Sequence, residues 1–156
     1  MSPPLHPAVA HLAWLVGTWT GSGAGLYPTI DSFEYTEQVD ISHVGKPFLS
    51  YVQRTKDART GLPLHSESGY LRPVGTDRIE LLIAQPSGIL ELHKGTIEGT
   101  SIHAQSESVM VSPTAKQVAE VHRLITVDGD RLSYRVDMAA VGLPLQLHLE
   151  AALHRA

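Results

Sequence analysis

The chain of 156 residues contains no cysteine. This absence excludes disulfides, thiolate zinc sites, iron–sulfur clusters and cysteine nucleophiles together. A long apolar segment is also missing, because proline and histidine interrupt the hydrophobic run near the N-terminus and no other run reaches the length that a bilayer requires. We therefore expect a soluble protein of the cytoplasm, where reducing conditions suit a chain without disulfides.

The sequence also lacks any concentration of positive charge. Its 12 lysines and arginines are scattered along the chain, and 16 acidic residues bring the net charge to −4. A protein that binds a phosphate backbone normally presents a basic patch, so the composition argues against nucleic acid as a partner. With 42% hydrophobic and 18% charged residues the chain can bury a core, and its length predicts one domain over residues 1–156.

Helical periodicity is scarce and is confined to one short predicted helix, Pro7 to Val16. The rest of the chain alternates between apolar and polar residues with the period of two that is typical of strands. These segments cover residues 33–38, 47–55, 68–74, 78–85, 88–95, 99–111, 117–127, 131–141 and 145–155. Asp128-Gly129 is a hairpin signal, and Gly142 with Pro144 marks the next connection.

Eight to ten strands without intervening helices predict either a β-sandwich or a β-barrel. Closure favours the barrel, because a barrel removes exposed edges and encloses a ligand. We therefore predict an all-β fold, an antiparallel barrel of about ten strands with a short N-terminal helix.

Residues 17–30, GTWTGSGAGLYPTI, are unusual for a strand because glycine recurs at every second position from Gly21 to Gly25. Glycine has no Cβ, so such a run permits strand coiling, bulges and the close approach of another backbone or a flat ligand. A nucleotide-binding loop is disfavoured, because a β segment rather than a helix follows. Trp19 is predicted to fill the core at one end of the barrel.

The order of these motifs resembles the nitrobindin family of haem-binding barrels, which are related in shape to lipocalins and are also described as peroxynitrite isomerases. The motif Gly17, Trp19, Gly21 and Gly23 leads into Gly25 and the Tyr-Pro-Thr-Ile run, and the resemblance continues through FEYTEQV (33–39), HVGKPFLSY (43–51), PLHSESGYLRP (63–73), PSGI (86–89), SPTAK (112–116) and AVGLPLQLHLEAALHR (140–155). The family implies a ten-stranded barrel with one haem b. In such proteins ferric haem converts peroxynitrite to nitrate and ferrous haem binds nitric oxide.

The resemblance also implies roles for individual residues. His148 matches the proximal iron ligand, whose second ring nitrogen normally needs a hydrogen-bond acceptor. Thr29, Lys116 and His65 match positions at the cofactor, and Lys116 suits a propionate group. No catalytic side chain beyond the haem iron is implied, which agrees with a sequence that lacks a Ser-His-Asp or paired-carboxylate constellation.

The other histidines carry weaker signals. We interpret His6 and His11 as surface residues, because five positions separate them rather than four. His93, His103, His122 and His154 are interpreted as solvated or structurally hydrogen-bonded. The sequence shows no zinc motif but leaves open a site of three histidines assembled across strands.

The alternation in the last strand conflicts with an inward-facing His148. One face carries four leucines and the other carries Gln146, His148, Glu150 and His154. If His148 faces the lumen, either the leucine face is covered from outside, by the helix or a second subunit, or a bulge shifts the phase. We predict that the leucine face, Leu145, Leu147, Leu149 and Leu153, packs in a homodimer.

Two other functions remain open from the sequence alone. One is a carrier of a small apolar ligand, similar to lipocalins and fatty-acid-binding proteins, which holds its ligand in the barrel without metal. The other is a haem-based carrier or sensor of nitric oxide without turnover.

Overall fold

Ten antiparallel strands close into a barrel in the computed structural model, which describes residues 1–156. A 3₁₀ helix, Pro7–Leu15, precedes them. The strands are β1 (Gly17–Tyr27), β2 (Ile30–Ser42), β3 (Leu49–Asp57), β4 (Pro63–Val74), β5 (Arg78–Gln85), β6 (Ile89–Glu98), β7 (Ser101–Val111), β8 (Val118–Asp128), β9 (Arg131–Ala140) and β10 (Gln146–Arg155). Each strand pairs with its neighbours in sequence, and β1 pairs with β10 to close the barrel. The predicted fold class is confirmed.

The 3₁₀ helix closes one end of the barrel. Its residues Val9, Leu12 and Leu15 are fully buried and belong to the same core cluster as Trp19. The indole Nε1 of Trp19 donates a hydrogen bond of 2.9 Å to the Leu15 carbonyl, so the tryptophan joins the helix to β1. No helix of the protein is both long enough and apolar enough to cross a membrane.

The glycines of β1 make room for aromatic rings of the neighbouring strand. A Cβ atom at Gly23 would overlap the ring of Tyr35, and one at Gly25 would overlap the ring of Phe33. Both rings belong to β2, which pairs with β1 in this region. The flat groups that these two glycines admit are therefore side chains of the chain itself, and these side chains then line the barrel interior.

A bulge in β10 changes which residues face the barrel interior. The pairing of β10 with β9 passes from Leu147 to Leu149 and leaves His148 without a partner on β9. After the bulge Leu149 packs against the core and Leu153 is fully buried within it. The predicted outward leucine face is therefore wrong for Leu149 and Leu153, and the bulge that the sequence left open as the alternative is present. The leucine pattern thus gives no reason for a homodimer.

The close contact at Gly23 predicts a cost for any side chain there. We expect Gly23→Ala to lower the free energy of unfolding by about 1–3 kcal/mol, because its Cβ would overlap both the Tyr35 ring and the backbone oxygen of Glu150. Ala24→Val, which adds two methyl groups to the exposed face of the same strand, is the matched control and should change stability by less than about 0.5 kcal/mol. Denaturant unfolding of both variants measures the difference. Equal stability of the two variants would contradict the packing argument.

Candidate functional site

A large cavity occupies the end of the barrel opposite the helix. Its volume is about 720 Å³, within the range of roughly 300–1,000 Å³ that small-molecule sites occupy. The turns between β1 and β2 and between β7 and β8 contribute to its mouth. Its walls are largely apolar and include a separate core cluster made of Tyr27, Ile89, Val118, Val121, Val136 and Ala140.

All four residues that the sequence predicts at a cofactor line this cavity. Thr29 lies in the turn between β1 and β2, His65 on β4, Lys116 in the loop between β7 and β8, and His148 on β10. The structure therefore brings together side chains that are up to 119 positions apart in sequence (148 − 29). The motif residues Gly17, Trp19, Gly21 and Gly23 do not line the cavity, and Trp19 lies at the closed end.

His148 presents a neutral imidazole with one free nitrogen. Its Nδ1–H donates a hydrogen bond of 3.0 Å to the carbonyl of Leu26, and the edge of the Tyr27 ring packs against it at 5.6 Å between centroids. Because a carbonyl only accepts, this bond places the proton on Nδ1 and leaves the lone pair on Nε2. Burial lowers the pKa of His148 below its ordinary value, and the charges of His65 and Arg123 lower it further.

His65 is oriented by a carboxylate rather than by backbone. Its Nε2 lies 3.4 Å from Oε2 of Glu67, and about a third of its side chain is exposed. Glu67 also accepts a hydrogen bond of 2.7 Å from the Tyr51 hydroxyl. Burial alone would raise the pKa of Glu67, but the charge of Arg123 and the hydrogen bonds of His65 and Arg123 hold this pKa well below its usual range.

Arg123 links two buried carboxylates across the barrel interior. Its guanidinium donates to Glu67 at 2.7 Å and 3.2 Å, and to Glu91 at 3.0 Å and 3.2 Å. Glu91 in turn accepts a hydrogen bond of 2.7 Å from the fully buried His93 and a further one from Gln85. Both carboxylates and the guanidinium are therefore paired within the barrel, whereas Nδ1 of His93 is buried without a partner.

Sequence reasoning missed this cluster, although the alternation contains a signal for it. Glu91 and His93 lie on the same face of β6 as the buried Ile89, so two polar residues share a core face. The cluster was not foreseen because charged residues are rarely buried unless they are paired, and the pairing joins three strands that are distant in sequence.

A second polar group lies around Glu37 on β2. The carboxylate accepts hydrogen bonds from the Tyr134 hydroxyl, at 2.9 Å, and from the Gln53 amide. The Tyr134 hydroxyl lies 2.7 Å from that of Tyr35. Burial raises the pKa of Glu37 to about 7, although the hydrogen bonds from Tyr134 and Gln53 oppose the shift.

The remaining histidines form no metal site. No cluster of three or more histidine, aspartate or glutamate side chains is arranged to hold a metal ion, so the three-histidine site that the sequence left open does not form. His11 was expected at the surface, but its Nε2 is buried without a partner because the helix packs over the barrel end. His6 receives the backbone N–H of Ala8 on its Nδ1.

The residues present fit a haem. The cavity is apolar and of suitable volume, His148 offers a free Nε2, and the cavity contains a cation that is not committed elsewhere. That cation is Lys116, which is exposed at the mouth, whereas Arg123 is held by its two carboxylates. An imidazole can ligate the iron of a haem, and an ammonium can pair with a propionate.

The family profile described as "THAP4-like, heme-binding beta-barrel domain" matches residues 8–155. The chain belongs to this family. The match confirms the resemblance to nitrobindins, and it identifies a haem-binding domain that covers nearly all of the chain.

Relatives within the family share about half of the sequence. Peroxynitrite isomerase 2 of Mycobacterium avium is 52% identical over 159 residues, and peroxynitrite isomerase 1 of Mycolicibacterium paratuberculosis is 51% identical, each alignment covering 99% of both chains. The crystal structure of Rv2717c from M. tuberculosis superposes with a TM-score of 0.92 at 49% identity, covering 98% of this chain and 99% of that one.

The raised pKa of Glu37 predicts a pH dependence of stability in this family member. Between the ordinary pKa of a glutamate and about 7, the folded protein holds a proton that the unfolded chain releases. This contribution to stability is therefore complete below about pH 4.5 and is lost as the pH rises through 7. Glu37→Gln keeps an acceptor for Tyr134 but has no carboxyl group to titrate. We expect its free energy of unfolding, relative to that of the wild type, to rise by on the order of 3 kcal/mol when the pH is raised from 5 to 8. Denaturant unfolding at both pH values measures this difference; a difference independent of pH would contradict the assignment.

The Arg123 cluster predicts a large effect of removing one charge. We expect Arg123→Met to lower the free energy of unfolding by about 3–5 kcal/mol at pH 7, because Glu67 and Glu91 would remain buried without compensation. Arg72→Met breaks an exposed ion pair with Glu80 and should cost less than about 1 kcal/mol. Thermal and denaturant unfolding of both variants test this contrast. Similar losses of unfolding free energy would show that the buried cluster stabilises the fold no more than an exposed ion pair does.

Proposed function

We propose that the chain is a haem-dependent peroxynitrite isomerase that also binds nitric oxide in the ferrous state. The observation that carries the proposal is the geometry of His148, a neutral imidazole at the wall of a large cavity with its Nδ1 held by the Leu26 carbonyl. Such a histidine offers Nε2 as an axial ligand with a fixed ring orientation. The names of relatives that are about 50% identical over their full length support the reaction.

The cofactor is proposed to be haem b. A c-type haem is attached through cysteines, and the chain has none, so the macrocycle is held only by ligation, packing and polar contacts. Lys116 at the cavity mouth would pair with a propionate, and the hydroxyl of Thr29 would add a hydrogen bond there. The apolar walls formed by Ile89, Val118 and Val136 would bury the faces of the ring.

A bound haem would supply the iron chemistry that isomerises peroxynitrite to nitrate. The protein residues would provide the surroundings of the iron. His148 would hold the iron, and the apolar walls would exclude bulk water from a ligand. His65, whose Nε2 lies 3.4 Å from Oε2 of Glu67, is the cavity side chain proposed to contact a bound ligand through its other ring nitrogen.

No side-chain acid–base pair is proposed as catalytic. The two carboxylates that face the cavity, Glu67 and Glu91, are paired with Arg123, and the buried Glu37 does not line the cavity. An apolar carrier without metal gives no role to the unpaired Nε2 of His148 at the cavity wall. A nitric oxide carrier or sensor without turnover would use the same site, and only measured turnover separates it from an enzyme.

Other parts of the proposal concern the protein as a whole. We propose that residues 1–156 form a single nitrobindin-like domain located in the cytoplasm, with small ligands rather than nucleic acid or membrane as partners. A homodimer remains a prediction, and it no longer has the leucine face of β10 as its reason.

Titration of the purified protein with hemin tests this proposal. We expect the wild type to give a haem-protein absorption spectrum and to accelerate the decay of peroxynitrite to nitrate. His148→Ala should lose the axial-ligand signature and at least about 90% of the acceleration, since it removes the nitrogen donor. His154→Ala, an exposed histidine on the same strand, is the matched control and should behave as the wild type.

The same titration distinguishes the alternatives. A free-hemin spectrum with the wild type would overturn the haem site and favour the apolar carrier. A wild-type haem complex that binds nitric oxide without accelerating peroxynitrite decay would overturn the enzymatic assignment and leave the carrier or sensor. A spectrum and activity unaffected by His148→Ala would move the ligand role to another residue.

A further inference from the structure

A second, smaller cavity lies deeper in the barrel, towards the closed end. Its volume is about 40 Å³, and 12 of its 16 lining residues are hydrophobic. The lining side chains of the deep core are almost completely buried: Leu15, Val39, Leu71, Leu81, Ile83 and Leu132. Leu15 comes from the 3₁₀ helix, so this small cavity lies between the helix and the large cavity.

The two cavities share a wall that is one layer of side chains thick. Gln53, Glu67, Arg123, Val136 and Leu149 line both of them. A small molecule that passes between the two cavities therefore has only this layer of side chains to displace.

The chemistry of the shared wall selects against ions. The guanidinium of Arg123 uses four of its five N–H donors on Glu67 and Glu91, so only one N–H, on Nη1, lacks a partner. Glu67 is ionised, and Oε1 of Gln53 is buried as an acceptor without a partner. An anion such as nitrate would therefore face two acceptors and would regain at most one of the hydrogen bonds that it loses on leaving water.

The volume of the small cavity limits the size of the molecule that it can hold. One water molecule needs roughly 10–15 Å³ of such space, so a cavity of about 40 Å³ admits a molecule of two heavy atoms but no metabolite. Water is disfavoured, because it needs two to four polar partners and most of this lining is aliphatic.

We propose that this small cavity is an internal docking site for a neutral diatomic molecule, of the class of nitric oxide or dioxygen, connected to the large cavity through the wall at Gln53 and Leu149. The site would hold such a molecule close to the proposed haem while excluding peroxynitrite and nitrate. The binding site itself does not depend on haem, and only its use in ligand traffic rests on the proposed function.

Xenon is the probe for this site, because it is neutral, apolar and visible both in crystals and by its effect on methyl resonances. The full chain is crystallised with and without hemin and pressurised with xenon, and a parallel solution titration follows labelled isoleucine and leucine methyl groups. We expect a xenon atom in the small cavity in both forms, with saturable shifts at Ile83, Ile125 and Leu132.

Variants that fill the cavity give the decisive comparison. Ile125→Phe places a larger side chain in the small cavity without touching the lining of the large one, and it should weaken xenon binding by about tenfold or more. Leu90→Phe, on the exposed outer face of β6, is the matched control and should leave binding unchanged. Val39→Ile, which adds one methylene, is the milder filling variant if Ile125→Phe does not fold.

Three outcomes would overturn the proposal. These are ordered water filling the small cavity, xenon found only in the large cavity, or equal xenon affinity for Val39→Ile, Ile125→Phe and wild type. None of them depends on hemin uptake, so failure of the docking site and failure of the haem site are observed separately.

Discussion

The interior of this barrel is organised around one ion cluster, the guanidinium of Arg123 held between Glu67 and Glu91. Arg123 lies on β8, Glu67 on β4 and Glu91 on β6. No two of these strands pair with each other, so the cluster links strands that backbone hydrogen bonds do not join. Buried charges are tolerated only when they are paired and hydrogen-bonded, and here every nitrogen of the guanidinium meets a carboxylate oxygen. The cluster divides the lumen into an apolar end closed by the helix and a wider end open to ligands.

The three histidines of the barrel interior differ in their position relative to this cluster and in their hydrogen-bond partners. His93 is fully buried and bonded to Glu91, so it belongs to the ion cluster and faces no ligand. His65 lies at the boundary, bonded to Glu67 but partly exposed to the large cavity. His148 is bonded only to a backbone carbonyl, which fixes its proton without adding charge. An iron ligand needs a neutral imidazole, and of these three His148 has the partner that fixes its tautomer without a charge.

The sequence predicts the barrel well because local signals and global closure agree. Alternation identifies most strands to within a few residues, and Asp128-Gly129 lies between β8 and β9 as the hairpin signal indicates. The glycines of β1 were correctly associated with close approach, yet their partners, the rings of Phe33 and Tyr35, emerge only from the pairing of β1 with β2. The short N-terminal helix was predicted to within one residue of its observed end, although its 3₁₀ geometry was not.

The orientation of His148 could not be predicted from the alternation of β10. Strict alternation places His148 outside whenever Leu149 and Leu153 are inside, so only a break in the period admits both. The bulge between Leu147 and Leu149 supplies that break, and nothing in the local sequence announces it. Bulges are common near functional sites because they re-aim a side chain without altering the rest of the strand. In β10 the bulge leaves Leu149 and Leu153 in the core and adds the imidazole to the cavity wall. Local pattern reading could not choose between this bulge and an outward-facing His148, and that choice decides whether β10 presents an imidazole to the cavity.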